Sequence, residues 1–200
     1  MPEIEGFILV GGKSSRMGSD KARLRLGGQS FVEKIADALG SICQRISVVG
    51  GTSERAGGEL MVVRDVYGEW GALGGLHAAL AACRSEWAAI VACDLPFVTG
   101  ELFARLARLG ENFEAVVPVQ ADNRLQPLCA LYRTKICLPL AEELIAAGER
   151  RPRALLERVR ARPVAHSELA DLSGAELFFT NVNTPSDYAR AQQAAAGDKR

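Results

Sequence analysis

The sequence lacks a surplus of either charge: 24 Lys and Arg residues balance 24 Asp and Glu over 200 residues. Non-specific nucleic-acid binders carry a basic excess that neutralises phosphates, so a nucleic-acid partner is excluded and a small anionic ligand in a local basic pocket is expected. Paired cysteines are also missing. The five present (Cys43, Cys83, Cys93, Cys129, Cys137) form no C-x-x-C unit, which argues against a zinc site or a redox dithiol. Several lie in apolar runs, where a reduced cysteine behaves as a small hydrophobe. No stretch approaches the ~20 apolar residues of a membrane span. The acidic opening MPEIEG, followed by a short apolar run, does not read as a secretory signal. A soluble, cytoplasmic protein is expected. The two histidines, His77 and His166, have no partner at metal or nucleophile–base spacing and read as structural. No serine sits in a nucleophile-elbow context, which argues against covalent acyl chemistry.

What is present is apolar and periodic. Apolar residues make up 48% of the chain, and a chain of this size buries roughly 70% of its unfolded surface. A single domain over residues 1–200 is expected, with a frayed tail from about 190 to 200. Gly6–Val10 reads as a buried strand entering a Gly11-Gly12 turn. Ser30 and Glu33 form an S-x-x-E capping box for a helix reaching Ile42. Arg45–Val49 and Leu60–Val63 read as strands, Leu73–Cys83 as a helix and Trp87–Cys93 as an unbroken apolar strand. Thr99 caps a helix to about Leu109, and Glu114–Val119 is a further strand. Beyond it, Asp122-Asn123 marks a turn before an extended Gln126–Tyr132 segment. Thr134–Ala147 and Arg153–Val159 read as helices, Phe178-Phe179 as a short strand, and Thr184-Pro185 as a helix start. Apolar strands alternating with amphipathic helices predict an α/β fold: a Rossmann-like, mostly parallel sheet with helices on both faces.

Ligands of such sheets bind beyond the carboxyl ends of the strands, and the segment Leu9–Lys21, LVGGKSSRMGSDK, occupies that position. Gly11 and Gly12 permit close backbone approach to a phosphate, and successive N–H groups in such a turn form an anion nest. Arg16 adds a planar fork and Lys21 a point charge. Two commoner loops fail on spacing. A P-loop ending at Gly12-Lys13-Ser14 needs glycine where Phe7 stands, and adjacent Gly11 and Gly12 do not make G-x-G-x-x-G.

The segment LVGGKSSRMGSDKARLRLGG resembles the signature of the MobA-type NTP transferases, roughly L-x-G-G-x-S-x-R-M-G-x-D-K-x-x-L. Further blocks follow in the family's order. RDVYGEWGALGGL is similar to D…G-P-L-x-G-L, VACDLP to C-D-x-P, and QPLCALY to P-L-x-A-L-Y. GERRP is similar to G-x-R-R, and TNVNTPSD to N-x-N-T-P-x-D. The resemblance covers residues of about 7 to 188.

It implies transfer of GMP from GTP to the phosphate of the molybdenum–molybdopterin cofactor, with release of pyrophosphate. It further implies that Asp94 binds Mg²⁺, that Lys21 and Arg16 hold the triphosphate as catalytic cations, and that Leu9, Val10, Gly11 and Gly12 meet the nucleotide largely through backbone groups. Asp65 is implied as a contact to base or ribose, and Gly71 to Gly75 as backbone approach to the base, with Ala72 in place of the usual proline. Thr52 stands roughly where the family has asparagine. Asn181 and Asn183 are implied near the pterin acceptor, although asparagine before Thr-Pro is also ordinary helix-start chemistry. Arg150 and Arg151 read either as a second anion site or as solvated charges. Transient contact with molybdoenzymes or their chaperones is a further expectation. Three alternatives stay open: a cytidylyltransferase on the same cofactor, for which L-A-A-G would be expected in place of Leu9-Val10-Gly11-Gly12; a sugar nucleotidyltransferase; and a non-catalytic nucleotide-binding adaptor.

Overall fold

The structure is a computed structural model that describes residues 2–10, 24–51, 60–67 and 70–197. Chain order runs β1 (Ile4–Leu9), β2 (Arg25–Leu26), β3 (Gln29–Ser30), α1 (Phe31–Gly40), β4 (Arg45–Val49), β5 (Met61–Val63), α2 (Gly71–Ala82), β6 (Trp87–Ala92) and α3 (Gly100–Arg108). It continues with β7 (Ala115–Pro118), β8 (Cys129–Arg133), α4 (Thr134–Ala146), α5 (Arg153–Leu156), β9 (Ala161–Val164) and α6 (Pro185–Gly197).

Seven strands form one sheet in the order β5-β4-β1-β6-β8-β7-β9. All run parallel except β8, which pairs antiparallel with both β6 and β7. Each of the six residues of β1 is buried, so the side chains alternating along it meet helices on both faces of the sheet. Ile4 and Ile8 pack with Val32, Ile35 and Leu39 of α1 and with Leu102 and Phe103 of α3. Phe7 and Leu9 pack on the opposite face with Leu73 and Leu76 of α2 and with Cys137 and Ala141 of α4.

The helix starts follow local chemistry. Ser30 Oγ accepts the Glu33 N–H at 3.2 Å and Glu33 Oε2 accepts the Ser30 N–H at 2.6 Å, completing the capping box. These bonds hold the Glu33 carboxyl below its ordinary range. Thr99 Oγ1 accepts the Leu102 N–H and opens α3. All five cysteines are free thiols. Burial pushes Cys43 and Cys137 up to about 12, which removes thiolate reactivity. No helix among the described residues is long and apolar enough to cross a membrane.

Three expectations change, and one strand has no counterpart among them. Phe178-Phe179 forms no strand: the chain runs through consecutive turns, with Leu177 N–H bonded to Gly174 O and Thr180 N–H to Leu177 O, and these bury Phe178 completely. The helix expected over Arg153–Val159 stops at Leu156. The tail expected to fray from about 190 is helical as far as Gly197, because Ala191 is buried against the body of the protein. Finally, Ala161–Val164 (ARPV) is a strand paired parallel with β7. Its arginine and proline conceal it, and Pro163 is tolerated because β9 is a sheet edge.

Candidate active site

The sheet's connections reverse at β1. The chain leaves β1 toward β4 and β5 on one side, and β6 flanks it on the other, so the candidate ligand crevice is the one that sheets of this kind form beyond the carboxyl ends of β1 and β6. Those ends are tied level. Val10 N–H donates to Val49 O at 3.0 Å, Cys93 N–H donates to Leu9 O at 3.0 Å, and Gly50 N–H donates to Val63 O at 3.0 Å. The sheet therefore takes two of the backbone groups expected to face a nucleotide, the Leu9 carbonyl and the Val10 N–H. Leu9 instead presents its side chain to α2.

Asp65 lies two residues beyond β5, and its Oδ1 accepts the Tyr67 N–H at 3.0 Å in an Asx turn. Its other oxygen faces Gly75. A Cβ on Gly75 would stand 3.6 Å from Leu9 Cδ1 and 4.0 Å from Asp65 Oδ2, so Leu9, Asp65 and Gly75 converge. Gly74 closes the same turn by contact. A Cβ there would lie 2.4 Å from the Tyr67 carbonyl oxygen, so only glycine lets α2 approach this closely. Gly71 opens α2 with φ +61°, a conformation that L side chains rarely adopt. Ala72, in place of proline, lies in the first helical turn without disrupting it.

Asp94 follows β6 by two residues. It is half-buried, and its carbonyl accepts the Val182 N–H at 2.9 Å. This bond brings Asn181 and Asn183 to the Asp94 side of the crevice. Asn181 is exposed, and its Nδ2 donates to Phe179 O at 3.4 Å. The Asn183 and Thr184 N–H groups both donate to Asp187 Oδ2, and Thr184 Oγ1 accepts the Asp187 N–H. The backbone at Asn183 thus belongs to the start of α6. The same bonds hold the Asp187 carboxyl below its ordinary range, the Thr184 side chain contributing most.

α4 rises to the same edge, and the turn after it meets the start of α2. Arg150 lies over the Trp70 ring at 5.0 Å, and it has no carboxylate partner among the described residues. Arg151 is bonded to Glu149 at 2.7 and 3.0 Å. The Arg151 side chain and two backbone N–H groups hold the Glu149 carboxyl down at about 2. Of the two arginines considered for a second anion, Arg151 is therefore neutralised and Arg150 is stacked. Nothing in the composition singled out Trp70. Its position just before the Gly71–Gly75 segment is the signal that could have. His77 is buried, with its ring edge-on to Tyr67 at 5.0 Å and Nε2 3.6 Å from Glu142 Oε1. His166 opens a short 3-10 turn.

Gly11, Gly12, Arg16, Lys21 and Thr52 lie outside the described residues. Among the described residues no three His, Cys, Asp or Glu side chains gather into a metal-binding group. A metal-binding trio is not what Mg²⁺ needs in any case, since it takes one or two carboxylates and fills its shell with water and substrate phosphate.

A mostly parallel sheet with its switch point at β1, and with carboxylates just beyond β5 and β6, defines the class by architecture: an α/β fold that takes its ligand at the strand ends. The MobA-like NTP transferase domain matches residues 6–165. A probable molybdenum cofactor guanylyltransferase from Pelotomaculum thermopropionicum is 35% identical over 100% of this chain and 97% of its own length. Another, from Carboxydothermus hydrogenoformans, is 33% identical over 94% of both chains. Among solved structures, molybdopterin-guanine dinucleotide biosynthesis protein A from Archaeoglobus fulgidus superposes with a TM-score of 0.81 at 26% identity, covering 96% of this chain and 99% of its own. The chain belongs to the MobA-like NTP transferase family.

Proposed function

We propose that this chain is a guanylyltransferase: it transfers GMP from GTP to the phosphate of molybdenum-bound molybdopterin and releases pyrophosphate. The observation that carries this reading is similarity along the whole chain to relatives named for that activity. An acceptor phosphate oxygen attacks the α-phosphorus, a new P–O bond forms there, and the bond from that phosphorus to the bridging oxygen of the β-phosphate breaks. Catalysis of such a transfer is mainly positioning and charge stabilisation.

In this reading Asp65, fixed by its turn, meets the base or ribose between Leu9 and Gly75. Gly71 and Gly75 admit the nucleotide to the start of α2, and Gly11 and Gly12 admit its phosphates. Arg16 and Lys21 neutralise the triphosphate. Asn181 and Asn183 orient the acceptor beside Asp94. Asp94 would hold Mg²⁺, which supplies charge neutralisation across the phosphates when bound. The reading places the protein in the cytoplasm and hands its product to molybdoenzymes or their chaperones.

Calorimetry with GTP and with CTP, each with and without Mg²⁺, tests the nucleotide assignment. Binding of GTP strengthened by Mg²⁺ is the expected result. Preference for CTP would reassign the base, and binding of neither nucleotide would favour an adaptor.

A further inference from the structure

The family match ends at residue 165, yet the chain beyond it closes the acceptor side of the crevice. A third apolar cluster, apart from the two faces of the sheet, assembles there. Leu26 of β2, Phe31 of α1, and Val182 and Ala191 from the C-terminal segment are its buried members, and Phe97 and Tyr188 pack against them. Phe97 comes from the loop that Asp94 begins, and Val182 lies between Asn181 and Asn183. The cluster therefore sits directly under the acceptor strip.

Among the members described, Tyr188 is the one whose side chain also makes a hydrogen bond. Its hydroxyl donates to the Arg25 carbonyl at 2.7 Å, and its ring tilts against Phe31 with centroids 6.2 Å apart. The receiving end is itself hydrogen-bonded to its surroundings. Arg25 belongs to the β2–β3 hairpin, which turns through Gly27 and Gly28 at positive φ. The hairpin is tied to α1 by the Phe31 N–H to Leu24 O bond and by the Ser30 capping box. At the other end, Tyr188 adjoins Asp187, whose carboxylate gathers the Asn183 and Thr184 N–H groups. The strip thus has two anchors: the Val182 bond to Asp94, and α6 docked on the hairpin through Tyr188.

We infer that Tyr188 is a positioning residue for the acceptor: its hydroxyl, bonded to the Arg25 carbonyl, sets the start of α6 and so the placement of Asn181 and Asn183 beside Asp94. This rests on the guanylyltransferase reading with its acceptor at the asparagine strip. Tyr188 does not touch the substrate. Tyr188→Phe keeps the ring and removes only the hydroxyl, so the cluster stays filled.

The test is steady-state turnover of the full chain with GTP and molybdenum–molybdopterin, alongside GTP calorimetry and thermal unfolding. Tyr188→Phe is expected to raise the KM for the molybdopterin acceptor about fivefold, the factor of one hydrogen bond, while GTP affinity stays at the wild-type value. Val182→Ala, which unpacks the strip from beneath, is expected to raise the same KM and keeps the test available if the first variant folds poorly. Asn181→Ala and Asn183→Ala separate the two claims. If they raise the acceptor KM and the Tyr188 and Val182 variants do not, the positioning role is overturned and the reading stands. If none of the four raises it, the acceptor does not lie at this strip and both fail. A Tyr188→Phe protein that loses thermal stability with both substrate constants unchanged would make the residue structural only.

Discussion

The two flanks of the crevice are built differently. On the nucleotide side, β1, β4, β5 and α2 meet through main chain: strand ends bonded to one another, an Asx turn at Asp65, and a helix that approaches within contact of the Tyr67 carbonyl because residue 74 has no Cβ. On the acceptor side, Asn181–Asn183 is an irregular strip. It is held by a main-chain bond to Asp94, a cap made by Asp187, and a small apolar cluster under α6. Interfaces of packed backbone are disrupted by single added atoms, whereas capped and clustered segments loosen by degrees.

Four perturbations separate the two flanks experimentally, and the largest effect is expected at Asp94, between them. Asp94→Ala is expected to lower kcat by about a thousandfold or more if the carboxylate would hold Mg²⁺ as proposed, since a bound cation at the phosphates would supply several kcal/mol at the transition state. Circular dichroism should remain unchanged, and near-normal turnover would remove the metal assignment. Next, Asp65→Asn preserves an oxygen for the Tyr67 N–H while deleting the charge that faces Gly75. GTP affinity is expected to fall about tenfold by calorimetry, in the range of a charged hydrogen bond, with acceptor KM unaffected.

Gly74→Ala probes the nucleotide flank through packing alone. The added Cβ meets main chain at 2.4 Å, and overpacking of this kind costs about 1–3 kcal/mol. Thermal unfolding should drop by about 2–8 °C, accompanied by a several-fold loss of GTP affinity. The smallest effect belongs to the acceptor flank in acid. Asp187 titrates below its unfolded value because of its bonds to Thr184 and Asn183. Its contribution is therefore complete above the unfolded pKa of about 4 and fades as pH falls through the lower folded value. Amide exchange at residues 183–188 should rise in that acid window before exchange in β1 does, and Asp187→Asn should flatten the dependence.

How much of this was legible in the sequence follows the same divide. The core strands and capped helices announced themselves, since β6 is an unbroken apolar run, β1 and β4 end in apolar residues before glycine turns, and the Ser30 and Thr99 caps have a fixed spacing. The approximate location of Asp65 and Asp94 just beyond strand ends, and of Gly71–Gly75 at a helix start, was also readable, because the motifs fall at element boundaries. What stayed hidden was tertiary. β9 carries arginine and proline in place of apolar alternation, and Phe178 is buried by turns where its composition suggested a strand. The need for glycine at 74 depends on the Tyr67 carbonyl from another turn. The Trp70–Arg150 stack joins residues 80 positions apart, and the Tyr188–Arg25 bond residues 163 apart. Neither pairing has any local periodicity to reveal it.

The central claim is guanylyl transfer, and the most direct measurement is product formation by the purified chain given molybdenum–molybdopterin, Mg²⁺ and either GTP or CTP. Pyrophosphate release together with the guanine dinucleotide cofactor, from GTP and not from CTP, is the predicted result. Formation of the cytosine dinucleotide in its place, or of no dinucleotide from either nucleotide, would contradict it.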